Sequence, residues 1–129
     1  MYQVTPERAR VLERHPDYSV TLHSASGRYR VTAGDILLAD SERVVEVRES
    51  FHGPVVYFPA DDVDFSHLKP SDHRTRCPFK GDAHYHHLVR ADGSVVGNAV
   101  WSYPQPVPEV GWLEGLYAFY SDKVEIERV

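Results

Sequence analysis

Beyond residue 17 the apolar residues fall into short alternating or β-branched runs, and this pattern narrows the fold more than any other feature. Tyr18–His23, Tyr29–Thr32, Ile36–Ala39, Val44–Glu49, Val55–Phe58, Tyr85–Arg90, Ser94–Val100, Leu116–Tyr120 and Val124–Val129 read as strands. Ala33-Gly34, Gly53-Pro54 and Asp92-Gly93 are turn signals between them, so the spacing predicts consecutive antiparallel pairing. Residues 5–15 differ. There Thr5 can cap, Pro6 suits the first helical position and Glu7 lies in the first turn, while His15-Pro16-Asp17 ends the helix. The expected organisation is a helical extension over 1–17 and a single mainly-β domain over 18–129. Two stretches break the alternation. Asp61–Gly81 holds Pro70 and Pro78 with little apolar periodicity, so 64–82 is expected to be a long, ordered, non-sheet connection. Pro104, Pro106 and Pro108 forbid regular sheet in the next segment, and Glu109–Glu114 predicts one helical turn.

A chain of 129 residues with 42% hydrophobic content has enough apolar surface for one core. Cys77 is the only cysteine, which excludes an intrachain disulfide and a four-thiolate zinc site. No apolar run approaches a membrane span and the N-terminus is polar, so no membrane partner and a cytoplasmic location are expected. A formal net charge of −5 argues against a nucleic-acid partner, because such binding rests on many phosphate contacts.

Against that acidic background, Lys69, Arg74, Arg76 and Lys80 face a single acid, Asp72, between positions 69 and 80. Gathering cations costs repulsion unless an anion compensates, so this stretch points to a small anionic ligand. The turn Cys77-Pro78-Phe79-Lys80-Gly81 should project Phe79 and Lys80 in opposite senses, with Gly81 available for positive φ. Lys80 is then a cation for phosphate or carboxylate or, if desolvated, an amine nucleophile. Cys77 becomes a nucleophile if neighbouring cations lower its pKa, and Asp82 is the best-placed acid–base group. Tyr57, Trp101 and Tyr103 flank Pro59 or Pro104 at strand ends, where rings wall pockets, and Asn98 offers an amide nearby. The catalytic candidates are thus Lys80, Asp82 and Cys77, and the ligand-binding candidates Arg74, Arg76, Tyr57, Asn98, Trp101 and Tyr103.

Five histidines, His67, His73, His84, His86 and His87, also fall within this region and raise the question of a metal. No tight ligand motif links them. Strand alternation sends His86 and His87 to opposite faces, so His86 alone can join His84. No metal or other cofactor is therefore expected.

Tyr57-Phe58-Pro59 with Asp62-Val63, Pro70-Ser71-Asp72, Thr75, Cys77-Pro78-Phe79-Lys80-Gly81-Asp82-Ala83, Asn98-Ala99-Val100-Trp101-Ser102-Tyr103-Pro104 and Tyr117-Ala118-Phe119-Tyr120 make the chain resemble the bacterial domain of unknown function 427 family, from about residue 18 onward. The resemblance implies a curled, barrel-like sheet similar to the β-tent of methionine sulfoxide reductase B domains. It also carries a nucleotidyltransferase label, for which no P-loop or recognisable metal–carboxylate pair appears in these residues. His84, His86 and His87 depart from the family pattern. The reading that follows is a small-molecule-binding domain, with group transfer or hydrolysis as its enzymatic form. A metal-binding protein using the His67–His87 cluster and a noncatalytic protein-interaction module are the alternatives.

Overall fold

The computed structural model describes residues 5–129; Met1–Val4, the start of the expected helical extension, lie outside the described residues. The helix α1 runs Pro6–Arg14, with the Thr5 side chain accepting from the Arg8 backbone N–H at 3.2 Å and His15 as its C-cap. Ten strands follow in the described residues: β1 (Val20–Ser24), β2 (Tyr29–Ala33), β3 (Ile36–Ser41), β4 (Val45–Glu49), β5 (Val55–Pro59), β6 (Leu68–Cys77), β7 (Gly81–Val89), β8 (Val95–Ser102), β9 (Leu116–Phe119) and β10 (Glu125–Arg128). The expected helical turn near 109–114 is a 3-10 segment, Pro108–Leu113.

All pairings are antiparallel and form two sheets, ordered β1-β4-β5-β9-β8-β7-β6 and β10-β2-β3. The larger sheet is not closed into a barrel; β1 and β6 are its edges. Pairing is consecutive for the β2–β3, β4–β5, β6–β7, β7–β8 and β8–β9 neighbours. It is long-range for β1–β4, β5–β9 and β10–β2.

Two-residue alternation loads both faces of the larger sheet. From β5 and β9, Val56, Phe58, Tyr117 and Phe119 pack toward the small sheet, joining Val31, Leu38, Leu88 and Val100 in one core cluster. Val55, Tyr57, Leu116 and Ala118 from the same strands enter a second cluster with Val47, Ala83, Tyr85, Tyr103, Val107, Val110 and Leu113. The proline-rich segment after β8 therefore covers the second face.

The expected non-sheet connection over 64–82 is incorrect. After short 3-10 turns at Ala60–Asp62 and Phe65–His67, β6 spans ten residues and β7 starts at Gly81, four residues before the expected strand. Pro70 is tolerated because β6 is an edge strand and its register with β7 slips between Pro70 and Arg74. The absence of apolar periodicity has the same origin: within β6 only Ser71 is fully buried, so the strand carries little core. No helix among the described residues is long and apolar enough to cross a membrane.

Candidate functional site

The turn between β6 and β7 decides where the chemistry gathers. Lys80 N–H closes it on the Cys77 carbonyl at 3.3 Å, and Gly81 follows at φ 119°, a left-handed value suited to glycine. A Cβ at Gly81 would sit 3.1 Å from the Gln105 carbonyl oxygen, so glycine also allows the proline-rich segment to close in. The turn does not project its side chains outward as expected. Phe79 is buried and stacks on Tyr18 with 4.2 Å between ring centroids. Lys80 folds under the sheet, where its Nζ donates to Glu49 Oε1 at 2.5 Å.

Glu49 and Lys80 are both nearly enclosed, with side chains 9% and 14% exposed. The Tyr18 hydroxyl donates to the other carboxylate oxygen of Glu49, and His52 Nε2 lies 3.8 Å from that oxygen. Burial alone disfavours the Lys80 ammonium, but the hydrogen bond and charge of Glu49 outweigh it, and the Lys80 pKa is raised. A lysine held protonated in this way is not a resting amine nucleophile. Its Nζ also lies 5.5 Å from the centroid of Tyr103, within cation–π range.

Around this pair lies a cleft of about 220 Å³, lined by Val47, Glu49, His52, Gly53, Val55, Tyr57, Lys80, Tyr85, Trp101, Tyr103 and Tyr120. Trp101 Nε1–H donates to the Tyr57 hydroxyl at 3.1 Å, and the Trp101 ring packs edge-on to Tyr57 and tilted on Tyr120, with centroids 6.1 and 4.5 Å away. Burial raises the Tyr57 and Tyr103 phenols, while burial and a hydrogen bond with Tyr85 push Tyr120 up to about 12. At neutral pH these hydroxyls are protonated donors. The cleft thus combines aromatic walls with one lysine–carboxylate pair, and the His52 ring lies beside the carboxylate.

The other candidates lie elsewhere. Arg74 donates to the backbone carbonyls of Ser71 and His73 at 2.8 and 2.7 Å. Arg76 and Asp82 are cross-strand partners, 3.7 Å apart and mostly exposed. Together with Cys77, which is free and half-buried, they line a neighbouring cleft of about 250 Å³ on the far side of the turn. The cationic stretch therefore does not converge, and Lys80 is its one member in the aromatic cleft. Asn98 belongs to a bulge: at φ 51°, its backbone N–H donates to His87 Nδ1 at 3.0 Å and its Oδ1 accepts from the buried Ser71 hydroxyl at 2.6 Å.

The histidines are similarly dispersed. His73 packs tilted against Tyr85 with 4.7 Å between centroids, His67 pairs with Asp64 at 3.6 Å, and His86 packs between Phe65 and Tyr117. Burial and then neighbouring cations lower the His86 pKa, which keeps the ring neutral. Among the described residues no three His, Cys, Asp or Glu side chains converge as a metal-ligand set.

Sequence reasoning missed Glu49, Tyr18, His52, Tyr85 and Tyr120. Glu49 carried a usable signal: it continues the Val45, Val47 alternation, so a strand through these positions places an acid on a buried face.

No curated protein matches the chain. The profile of a family described as a domain of unknown function, DUF427, matches residues 21–129, which include all of β2–β10 and every lining residue of the aromatic cleft. The chain belongs to the DUF427 family.

Proposed function

We propose that this protein is a small-molecule-binding domain whose ligand occupies the cleft walled by Tyr57, Trp101 and Tyr103 and takes an acceptor group to Lys80. The observation that carries the reading is the convergence of five aromatic side chains on a nearly buried Lys80–Glu49 pair in one concavity. Cofactor and substrate sites are mostly apolar concavities with few, placed polar groups, and this cleft has that composition. Rings lose little conformational entropy on binding, and among the described residues the Lys80 ammonium spends one of its three donors on Glu49, leaving two for a ligand oxygen. Recognition rather than turnover is what the groups support. Lys80 is held protonated by Glu49, and Cys77 and Asp82 open on the neighbouring cleft.

A thermal-shift screen of nucleotides, sugar phosphates, amino acids and small ring-bearing acids tests the proposal, since a ligand that binds only the folded state raises the melting temperature by mass action. The expected result is a saturable shift with at least one compound, lost in Trp101→Ala and retained in Arg76→Ala. No shift across the collection, or one that survives Trp101→Ala, overturns it.

A further inference from the structure

We infer that the ligand of the aromatic cleft is a zwitterion of the α-amino-acid type, its carboxylate on Lys80, its ammonium on Glu49 and its ring or apolar side chain against Trp101. This inference rests on the cleft proposed above as a binding site. Its starting point is that the cleft presents two opposite charges, both facing the same cavity and already in contact with each other.

The hydrogen-bond inventory shows what each charge has left. An ammonium has three donors, and Lys80 Nζ uses one of them on Glu49 among the described residues. A carboxylate has about four lone-pair sites, and Glu49 accepts from Lys80 at Oε1 and from Tyr18 at Oε2. Both groups keep spare capacity while most of their solvent has been removed. A ligand with only an anionic group would gain Lys80 and meet the Glu49 carboxylate at close range in a site of low effective dielectric. A ligand with only a cationic group would meet Lys80. A compound bearing ammonium and carboxylate on one carbon satisfies both, because its own dipole can lie antiparallel to the Lys80–Glu49 dipole and complete a ring of alternating charges. Such a ligand enters without changing the net charge of the cleft.

The remaining walls fit the rest of such a molecule. Val47, Val55 and Tyr57 offer apolar surface beside the pair, and Trp101 and Tyr120 offer ring faces. The lysine also disfavours an isolated organic cation, although aromatic cages commonly hold one. Here the cage already contains its cation, 5.5 Å from the Tyr103 centroid.

Three probes share a phenyl ring and differ in charge: L-phenylalanine, 3-phenylpropionate, which lacks the ammonium, and 2-phenylethylamine, which lacks the carboxylate. Calorimetric titration of the full chain should find the zwitterion at least about tenfold tighter than either monocharged analogue, a difference of 1.4 kcal/mol. In Glu49→Gln the preference over 3-phenylpropionate should collapse, because the repelling charge is gone. Equal or tighter binding of 3-phenylpropionate to the wild-type chain overturns the zwitterion and leaves the cleft as an anion site. Failure of all three probes to bind also overturns it, while the broader screen with its Trp101→Ala control decides separately whether the cleft is a binding site. The wild-type comparison stands by itself if Glu49→Gln does not fold.

Discussion

The two faces of the seven-stranded sheet are built from alternate residues of the same strands, yet they do opposite things. Toward the small sheet, Phe58, Leu38, Leu88, Val31 and Val100 are essentially fully buried and the buried contact is apolar, with tyrosines only at its partly buried margin. On the other face Tyr57, Tyr85, Tyr103 and Trp101 replace aliphatic residues, Glu49 and Lys80 sit among them, and a cleft remains. Only the first face can close on itself completely, because apolar groups need no partners when dehydrated. The second contains charges and hydroxyls that must be matched, and the matching leaves room. Stability is thus expected to reside mainly in the first face and recognition in the second.

The largest expected effect tests the first half of that contrast. Phe58→Ala removes a fully buried ring that packs edge-on to Phe119 at 5.6 Å, and should cost about 3–5 kcal/mol in denaturant unfolding. A loss below about 1 kcal/mol would show that the apolar face is not the stabilising one.

On the second face, Glu49→Gln strands a mostly buried ammonium and should destabilise the fold by about 2–3 kcal/mol, toward the upper range for leaving a charged group without its partner. Adding Lys80→Met should recover part of the loss, since replacing both partners removes the desolvated charge. Strict additivity in that cycle would mean the pair is not coupled. Because the Lys80 pKa is raised above its ordinary 10.5, the stabilisation is fully present below that pH and is lost as the pH rises through the higher folded value. Glu49→Gln should blunt this alkaline loss, measured as melting temperature against pH.

Gly81→Ala forces a Cβ into a positive-φ position and against the Gln105 carbonyl, and should cost about 1–3 kcal/mol. It also disturbs the turn that delivers Lys80, so binding at the aromatic cleft should weaken along with stability. An unchanged melting temperature would show that the turn relaxes freely.

The smallest effect is the most local. Tyr57→Phe removes the acceptor for Trp101 Nε1–H and should cost about 0.5–1.5 kcal/mol, with a shift in tryptophan emission that reports the altered indole environment. A larger loss would move Tyr57 from wall to keystone of the second face.

Much of the sheet was legible because burial and alternation are local properties. Val55–Phe58 and Leu116–Tyr120 read as strands from composition, and each sends alternate residues to two cores. The Thr5 cap and Pro6 were equally readable, since capping involves residues three apart. β6 was not. Its proline and its cations match a loop in composition, and it is a strand because β7 is available to pair with it and its free edge suffers no loss from Pro70. Which residues line the candidate cleft was legible to a similar degree. Lys80, Tyr57, Trp101 and Tyr103 share one cleft, whereas Arg74, Arg76 and Asp82 form contacts with near neighbours. A cluster of like charges along the chain carries no information about which way alternate strand residues point.

By itself, then, the order of residues determined which segments other than β6 extend, where the turn at Gly81 falls and which family the chain resembles, because these follow from local sterics and short-range pattern. The partnership of Glu49 with Lys80, thirty-one residues apart, was decided only when β4 and the β6–β7 turn met beneath the same sheet face. Desolvation and Coulomb energy act on distances in space, and the long-range β1–β4 and β5–β9 pairings set those distances.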